Sequence, residues 1–213
     1  MELNLQGKRA LVSGANRGTG QVIAKVLADE GLSEGRVGLY GTWQVNQTIA
    51  LYEMLFEEVD QYDFVAETSP TMFDKAMLTK DADEIERIKA VAKGTNEAMA
   101  AAWDYIAACT ADGEYLVNGD GDRVTIGDIK MLVRRELMDR GLEDTGMIFA
   151  QGRDAGFPHS RGEDDMLLQL GKSIVFDLFP REMGGGYHHD MTRTWCIGYA
   201  PDDVQEIYDT VME

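Results

Sequence analysis

The chain has 213 residues and 44% hydrophobic content, enough for one core or for one domain plus a fragment. Lysine and arginine number 20 against 38 acidic residues, a formal net charge of −18 with a pI near 4.5. That charge repels phosphate backbones and anionic lipid surfaces, so neither a nucleic-acid nor a membrane partner is expected. Cys109 and Cys196 are too few for a disulfide framework and fit a reducing compartment. The opening Met-Glu-Leu-Asn-Leu-Gln-Gly-Lys has neither a basic n-region nor an apolar h-region, and no apolar run approaches membrane-spanning length. A soluble, cytoplasmic protein is expected.

Residues 8–31 read as a β-loop-α unit. Arg9-Ala-Leu-Val-Ser13 is a short apolar strand, and Gly14-Ala-Asn-Arg-Gly18-Thr-Gly20 is a tight loop. The helix predicted over 21–30 has Val22, Ile23, Val26 and Leu27 as its apolar stripe and Gly31 as its stop. Glycines ahead of a helix N-terminus let backbone N–H groups approach a phosphate, which the helix dipole favours. This pattern resembles the nucleotide-binding opening of the short-chain dehydrogenase/reductases. Gly14, Gly18 and Gly20 fall on its glycine positions, with Ser13 and Thr19 replacing the commoner Thr and Ile. The resemblance stops at about residue 34. No second βα unit with a ribose-binding acid follows, and no tyrosine has a lysine four residues later, as that family's catalytic pair requires. One βα unit cannot enclose a dinucleotide, so NAD(P) is not expected as a cofactor. The three glycines are read as a remnant nucleotide loop.

Beyond residue 35, residues 36–41 read as a short strand, residues 44–60 as a helix carrying Ile49, Leu51, Met54, Leu55 and Val59, and Phe64-Val65 as the start of another strand. Ser69-Pro70 marks a turn. Asp81 and Glu84 form a capping-box signature ahead of a long helix. Its predicted inward stripe is Ile85, Ile88, Ala92, Thr95, Met99, Ala102, Ile106 and Cys109, with Glu84, Glu86, Arg87 and Lys89 on a solvated face. Asn118-Gly-Asp-Gly-Asp122 lacks the spacing and terminal Glu of a calcium-binding EF-hand loop and reads as a turn. Thr125 caps a second helix through Asp128, running Ile129, Leu132, Val133 and Leu137 to Gly141. Residues 147–150 form a short buried strand that leads into a loop with Pro158-His159.

The stretch 174–196 reads as a long-looped hairpin. Ile174 to Phe176 deliver Asp177 at the end of one strand. A Gly184-Gly-Gly-Tyr187 turn comes next, and Asp190-Met-Thr-Arg-Thr-Trp195 opens the second strand. Period-2 alternation puts Asp190, Thr192, Thr194 and Cys196 on one face, and lets Asp177 and Asp190 face each other across neighbouring strands. Two close carboxylates repel unless a proton or a cation sits between them, and hard oxygen ligands on rigid strands suit a divalent metal site, including a two-metal one. Pro201 then opens a helix to Val211.

Phe-Asp, the Gly-Gly-Tyr turn and Asp-Met-Thr-Arg-Thr-Trp resemble the first metal-binding hairpin of the pita-bread metallopeptidases, within the Xaa-Pro aminopeptidase/creatinase branch. The resemblance implies that Asp177 binds one metal and Asp190 bridges two, although the loop between them is slightly longer than the commonest family form. It also matches His159 to a Pro-His that lines the active site, and gives His188 and His189 no ligand role. Residues 35–80 then resemble the last strand and helix of that branch's N-terminal domain. The start of that domain is replaced by the dehydrogenase-like unit, so the chain reads as a junction of two unrelated openings.

The expected fold class is α+β. The resemblance implies the first half of a pita-bread (creatinase/aminopeptidase) fold, with an antiparallel sheet and packed helices, preceded by a short βα Rossmann-like unit. The expected domains are a Rossmann-like fragment at 1–34, a creatinase-type N-terminal remnant at 35–80 and the first catalytic half at 81–213. In the resembled family the other half supplies one His and two Glu to a pair of Mn, Co or Zn ions. A metal-bridged hydroxide there attacks the N-terminal peptide bond of a substrate with proline in second position. The expectation is a metallo-aminopeptidase by descent, inactive in this chain for want of second-half ligands, with self-association through the uncovered half-domain face. An NAD(P)-binding oxidoreductase fragment and a non-catalytic assembly module are the alternatives.

Overall fold

Parallel strands cannot be joined by a tight turn, so a parallel sheet announces itself by the segments between its strands. The computed structural model describes residues 12–13, 34–40, 44–58, 62–66 and 68–212, and the chain divides into two units at Thr79/Lys80. In the first unit, β1 (Val12–Ser13), β2 (Gly35–Tyr40) and β3 (Tyr62–Val65) form one parallel sheet in that order, and α1 (Val45–Glu58) is the crossover between β2 and β3. Val12–Ser13, read from sequence as part of a fragment at 1–34, therefore pairs with β2 of the stretch read as 35–80. Tyr62 and Phe64 are its buried aromatics. The short helix α2 (Met72–Ala76) comes after β3, capped by a reciprocal pair of bonds between Thr71 and Asp74. Gly14, Gly18, Gly20 and the helix predicted over 21–30 lie outside the described residues.

The second unit opens on α3 (Ala82–Ala108), whose start is fixed by the predicted capping box: Asp81 accepts from Glu84 N at 2.9 Å and Glu84 accepts from Asp81 N at 2.8 Å. Its buried face is Val91, Gly94, Thr95, Ala98, Met99, Ala102 and Ile106. The expected stripe holds from Thr95 to Ile106. Ahead of it, Val91 rather than Ala92 is buried, and Ile85 is 43% exposed. The first two turns of α3 meet a polar hairpin instead of the core. Gly94 permits a close approach, because a Cβ there would stand 2.8 Å from Leu142 Cδ1.

The hairpin of β4 (Thr110–Asp112) and β5 (Tyr115–Val117) leads to Asn118, whose side chain accepts from the N–H groups of Asp120 and Asp122, so the Asp/Gly stretch is a turn. Helix α4 (Ile126–Asp139) is capped by Thr125 with Asp128 and buries Ile126, Ile129, Val133 and Leu137 completely. The remaining elements are β6 (Leu142–Glu143), β7 (Ile148–Gln151), a 3-10 turn at Gly152–Gly156, β8 (Ser173–Leu178), β9 (Arg181–Glu182), β10 (Met191–Cys196) and α5 (Asp202–Met212). Strands β10, β8 and β7 form an antiparallel sheet in that order, and β6 pairs with β9.

One face of this sheet shares a core with both long helices: Phe149, Ile174, Phe176 and Leu178 cluster with Val91, Ala98, Ile129 and Val133. Aromatic edges knit it together. Phe149 meets Phe176 at 5.1 Å, Phe176 meets Trp195 at 5.3 Å, and Trp195 meets Trp103 of α3 at 5.3 Å, all edge-to-face. Helix α5 buries nothing, and among the described residues no helix is long and apolar enough to cross a membrane.

Candidate functional site

Alternation along β8 decides where its one acid points. Ile174, Phe176 and Leu178 are fully buried in the core, so Val175 and Asp177 project from the opposite face. The register sets Asp177 between Ile148 of β7 and Thr192 of β10. Residues directly opposite share a face, so these side chains form part of one surface. Thr192 Oγ1 donates to Asp177 Oδ1 at 2.6 Å. Sequence alternation placed Thr192 on the Asp190 face but did not single it out as a partner of Asp177.

Asp190 lies in the extended stretch one residue ahead of β10. Burial pushes its carboxyl above the ordinary carboxylate range. The negative charge of Asp177 and a hydrogen bond with the Asp177 side chain push the same way, while His189 pulls it back. The two aspartates are thus brought together on one side of the sheet.

His159 sits in the loop after the 3-10 turn, where Phe157 N donates to Asp154 O and Ser160 N to Phe157 O, each at 3.1 Å. It is the non-glycine residue with positive φ among the described residues, at 65°. Such a conformation is uncommon for a side-chain-bearing residue and clusters at functional positions. A cleft of about 220 Å³ joins it to the sheet: Ile148, Val175, Asp177 and Thr192 form one wall, and Phe157, Pro158 and His159 the other. His159 and Asp177 therefore line the same space.

The segment beyond His159 is pinned from below. Lys130, 4% exposed on α4, donates to Gly162 O at 2.9 Å and to Asp164 Oδ1 at 2.6 Å. His188 forms an isolated backbone bridge with Arg181. His189 is half-buried, its backbone N–H donates to Pro180 O at 3.1 Å, and its Nδ1 is buried without a partner among the described residues. Among the described residues no group of three His, Cys, Asp or Glu side chains could hold a metal ion. The carboxylate pair fits a hard divalent ion as two oxygen donors, and catalytic sites of this kind keep three or more protein ligands.

Comparison with known proteins gives a family and a fold. A family model for metallopeptidase family M24 matches residues 86–213. No curated protein matches the chain. Among solved structures, the X-Pro aminopeptidase of Thermotoga maritima MSB8 matches with a TM-score of 0.66 at 21% identity, over 90% of this chain and 48% of that one. The prolidase of Pyrococcus furiosus matches at 0.61 and 19%, over 90% and 49%. Aminopeptidase P of E. coli with the inhibitor Pro-Leu matches at 0.66 and 16%, over 90% and 42%. The chain spans about half the length of the solved structures it resembles.

Proposed function

The chain belongs to metallopeptidase family M24, and from that premise we propose that its second unit carries part of a divalent-metal site for cleaving peptides with proline in second position. Asp177 and Asp190 are its ligands, and His159 is its substrate-facing residue. The observation that carries the reading is the carboxyl pair itself: strand alternation and register put Asp177 and Asp190 on one side of the sheet, and Asp177 lies in the cleft that His159 lines. Two acids held this close are costly at neutral pH unless a cation stands between them. The structural relatives, an X-Pro aminopeptidase and prolidases, support the substrate class.

When bound, a divalent ion supplies Lewis acidity towards a peptide carbonyl and a nucleophile from water at neutral pH. The chain's own contribution is geometric. Thr192 occupies one lone pair of Asp177 Oδ1, which restrains the carboxylate's rotation. His159 presents its ring to the cleft from a loop that Lys130 anchors through Gly162, and would orient the substrate there.

The described residues supply two donors, so the 213-residue chain by itself is expected to bind Mn²⁺ weakly and to be inactive on Xaa-Pro peptides. Titration of Mn²⁺ followed by electron paramagnetic resonance tests the site. Saturable binding is expected in the wild type and its loss in Asp177→Asn and in Asp190→Asn, while a wild type without saturable binding would overturn the assignment. Robust Xaa-Pro cleavage by the isolated chain with Mn²⁺ or Co²⁺ would overturn the inactivity.

A second reading, an assembly module, draws on the uncovered apolar side chains of the same unit. Trp103 is 53% exposed, and Ile207, Val211 and Met212 of α5 are each at least 66% exposed.

A further inference from the structure

Asp190 is not held by the β8–β10 ladder, whose first pair is Met191 with Leu178. Its position is set by the hairpin of residues 180–189, which closes through Glu182 N to Tyr187 O and His189 N to Pro180 O, each at 3.1 Å. One side of that hairpin is tied to β6 by backbone pairing of Leu142 with Glu182 and by the Arg181–Glu143 ion pair. The other side meets α3 through side chains. Arg87 forks onto Glu182, with Nε to Oε1 at 3.0 Å and Nη2 to Oε2 at 2.5 Å, and its guanidinium lies 4.9 Å above the Tyr187 ring. Tyr187 N donates to the same Glu182 Oε2 at 2.9 Å, and the Tyr187 hydroxyl donates to Glu84.

We propose that Arg87 is a positioning residue for Asp190, strapping the hairpin to α3 so that Asp190 stays beside Asp177. The inference rests on Asp190 being part of the proposed metal site and adds what holds it there. Arg87 touches both Glu182 and Tyr187, and Tyr187 lies three residues before Asp190. Like charges would drive the two aspartates apart, so the segment between them has to be restrained from outside the ladder. A planar fork stacked on an aromatic face is a restraint that lysine cannot reproduce. The ion pair is only partly shielded, with Arg87 and Glu182 side chains 55% and 24% exposed, so its role is directional more than stabilising.

The test uses the whole 213-residue chain as wild type, Arg87→Met, Arg87→Lys and Glu182→Gln, followed by deuterium exchange and by Mn²⁺ titration. In Arg87→Met the amides of 182–190 are expected to exchange about tenfold faster, with 174–178 unchanged and Arg87→Lys intermediate. Glu182→Gln keeps the acceptor for Tyr187 N and is expected to shift exchange in the same direction. Mn²⁺ affinity is expected to fall about tenfold in Arg87→Met, the cost typical of losing a group that orients a ligand.

Wild-type exchange across 182–190 in Arg87→Met would overturn the proposal. So would an equal loss of protection in 174–178, which would make Arg87 a general fold residue. Faster hairpin exchange with unchanged Mn²⁺ affinity would also overturn it, because the strap would then not serve Asp190. A wild type without saturable Mn²⁺ binding would remove the metal reading instead, and the exchange data would still decide whether Arg87 holds Asp190 in place.

Discussion

Asp190 carries the cost of the site. Burial and the charge of Asp177 raise its carboxyl above the ordinary value, so the folded chain binds this proton more readily than the unfolded chain does. The resulting penalty is absent below the ordinary carboxylate range, grows as pH rises through it, and is complete above the raised value. Asp190→Asn removes the penalty. Its melting temperature is expected to exceed that of the wild type at pH 7 and to converge with it near pH 3, as thermal scans at the two pH values would show. A lower melting temperature at pH 7 would mean that the pair is not in conflict. Thr192 acts on the other carboxylate. Thr192→Val keeps the shape and loses the bond to Asp177 Oδ1, so stability should change by about 1 kcal/mol or less in urea titration. Mn²⁺ affinity should fall about tenfold in the same variant.

Between neighbouring elements, Asp144 ties α4 to the start of β7. Its Oδ1 accepts from Gly146 N and Met147 N at 2.9 Å each, and its Oδ2 from Arg134 Nε at 3.0 Å. Burial acts to raise this carboxyl, but the two backbone bonds and the Arg134 guanidinium outweigh it, so it sits below its ordinary value. The stability it confers is therefore present above the unfolded value and lost as pH falls through the folded one. Asp144→Ala is expected to cost about 2 kcal/mol at pH 7 by urea titration, with the deficit shrinking in acid. Gly162 limits the His159 loop in a different way. At φ +75° an added Cβ would collide with Phe149 O and stand 3.1 Å from Ala150 Cα. Gly162→Ala is expected to destabilise by at least about 1 kcal/mol and to disturb the His159 wall of the cleft, readable as altered exchange across 157–162.

These elements also show what was legible in the sequence. Capping boxes at Asp81/Glu84 and Thr125/Asp128 are local, three residues apart, and the helices start where they say. The alternation of 173–178 and 191–196 is local too, so Asp177 and Thr192 could be placed on a shared face. The rest is set by tertiary partners, which no local pattern reveals. Glu84 and Arg87 have the sequence pattern of a solvated face, yet Arg87 meets Glu182, 95 residues away, and Tyr187 reaches Glu84. Those contacts also turn the first turns of α3 off the core, which is why Ile85 is exposed and Val91 takes the expected place of Ala92. His159 is marked in sequence by its Pro-His neighbourhood, and nothing there announces its positive φ. The parallel pairing of β1 with β2 joins residues that the sequence reading had divided between two domains.

For the molecule as a whole, the α+β architecture is that of the pita-bread metallopeptidases, over about half of the length of their chains. In its second unit, among the described residues, β10 is a sheet edge, and α5 exposes Ile207, Tyr208, Val211 and Met212. An unpaired edge and an apolar helix face both favour association. The net charge of −18 opposes it, so association should strengthen with added salt. Light scattering is expected to give a mass above 23.6 kDa that rises with concentration and ionic strength, and to fall towards the monomer in Ile207→Glu/Val211→Glu. A clean monomer throughout would count against the assembly reading.

The edge-to-face pair of Trp103 and Trp195 has a spectroscopic corollary. Two indoles at 5.3 Å, one on the long helix and one on the sheet, form a coupled chromophore. Its near-ultraviolet dichroism and emission colour should change the moment the helix lifts from the strands, before the backbone signal is lost. The protein thus carries its own optical gauge of tertiary docking, and Trp103→Phe would silence the coupled signal by leaving Trp195 without its partner indole.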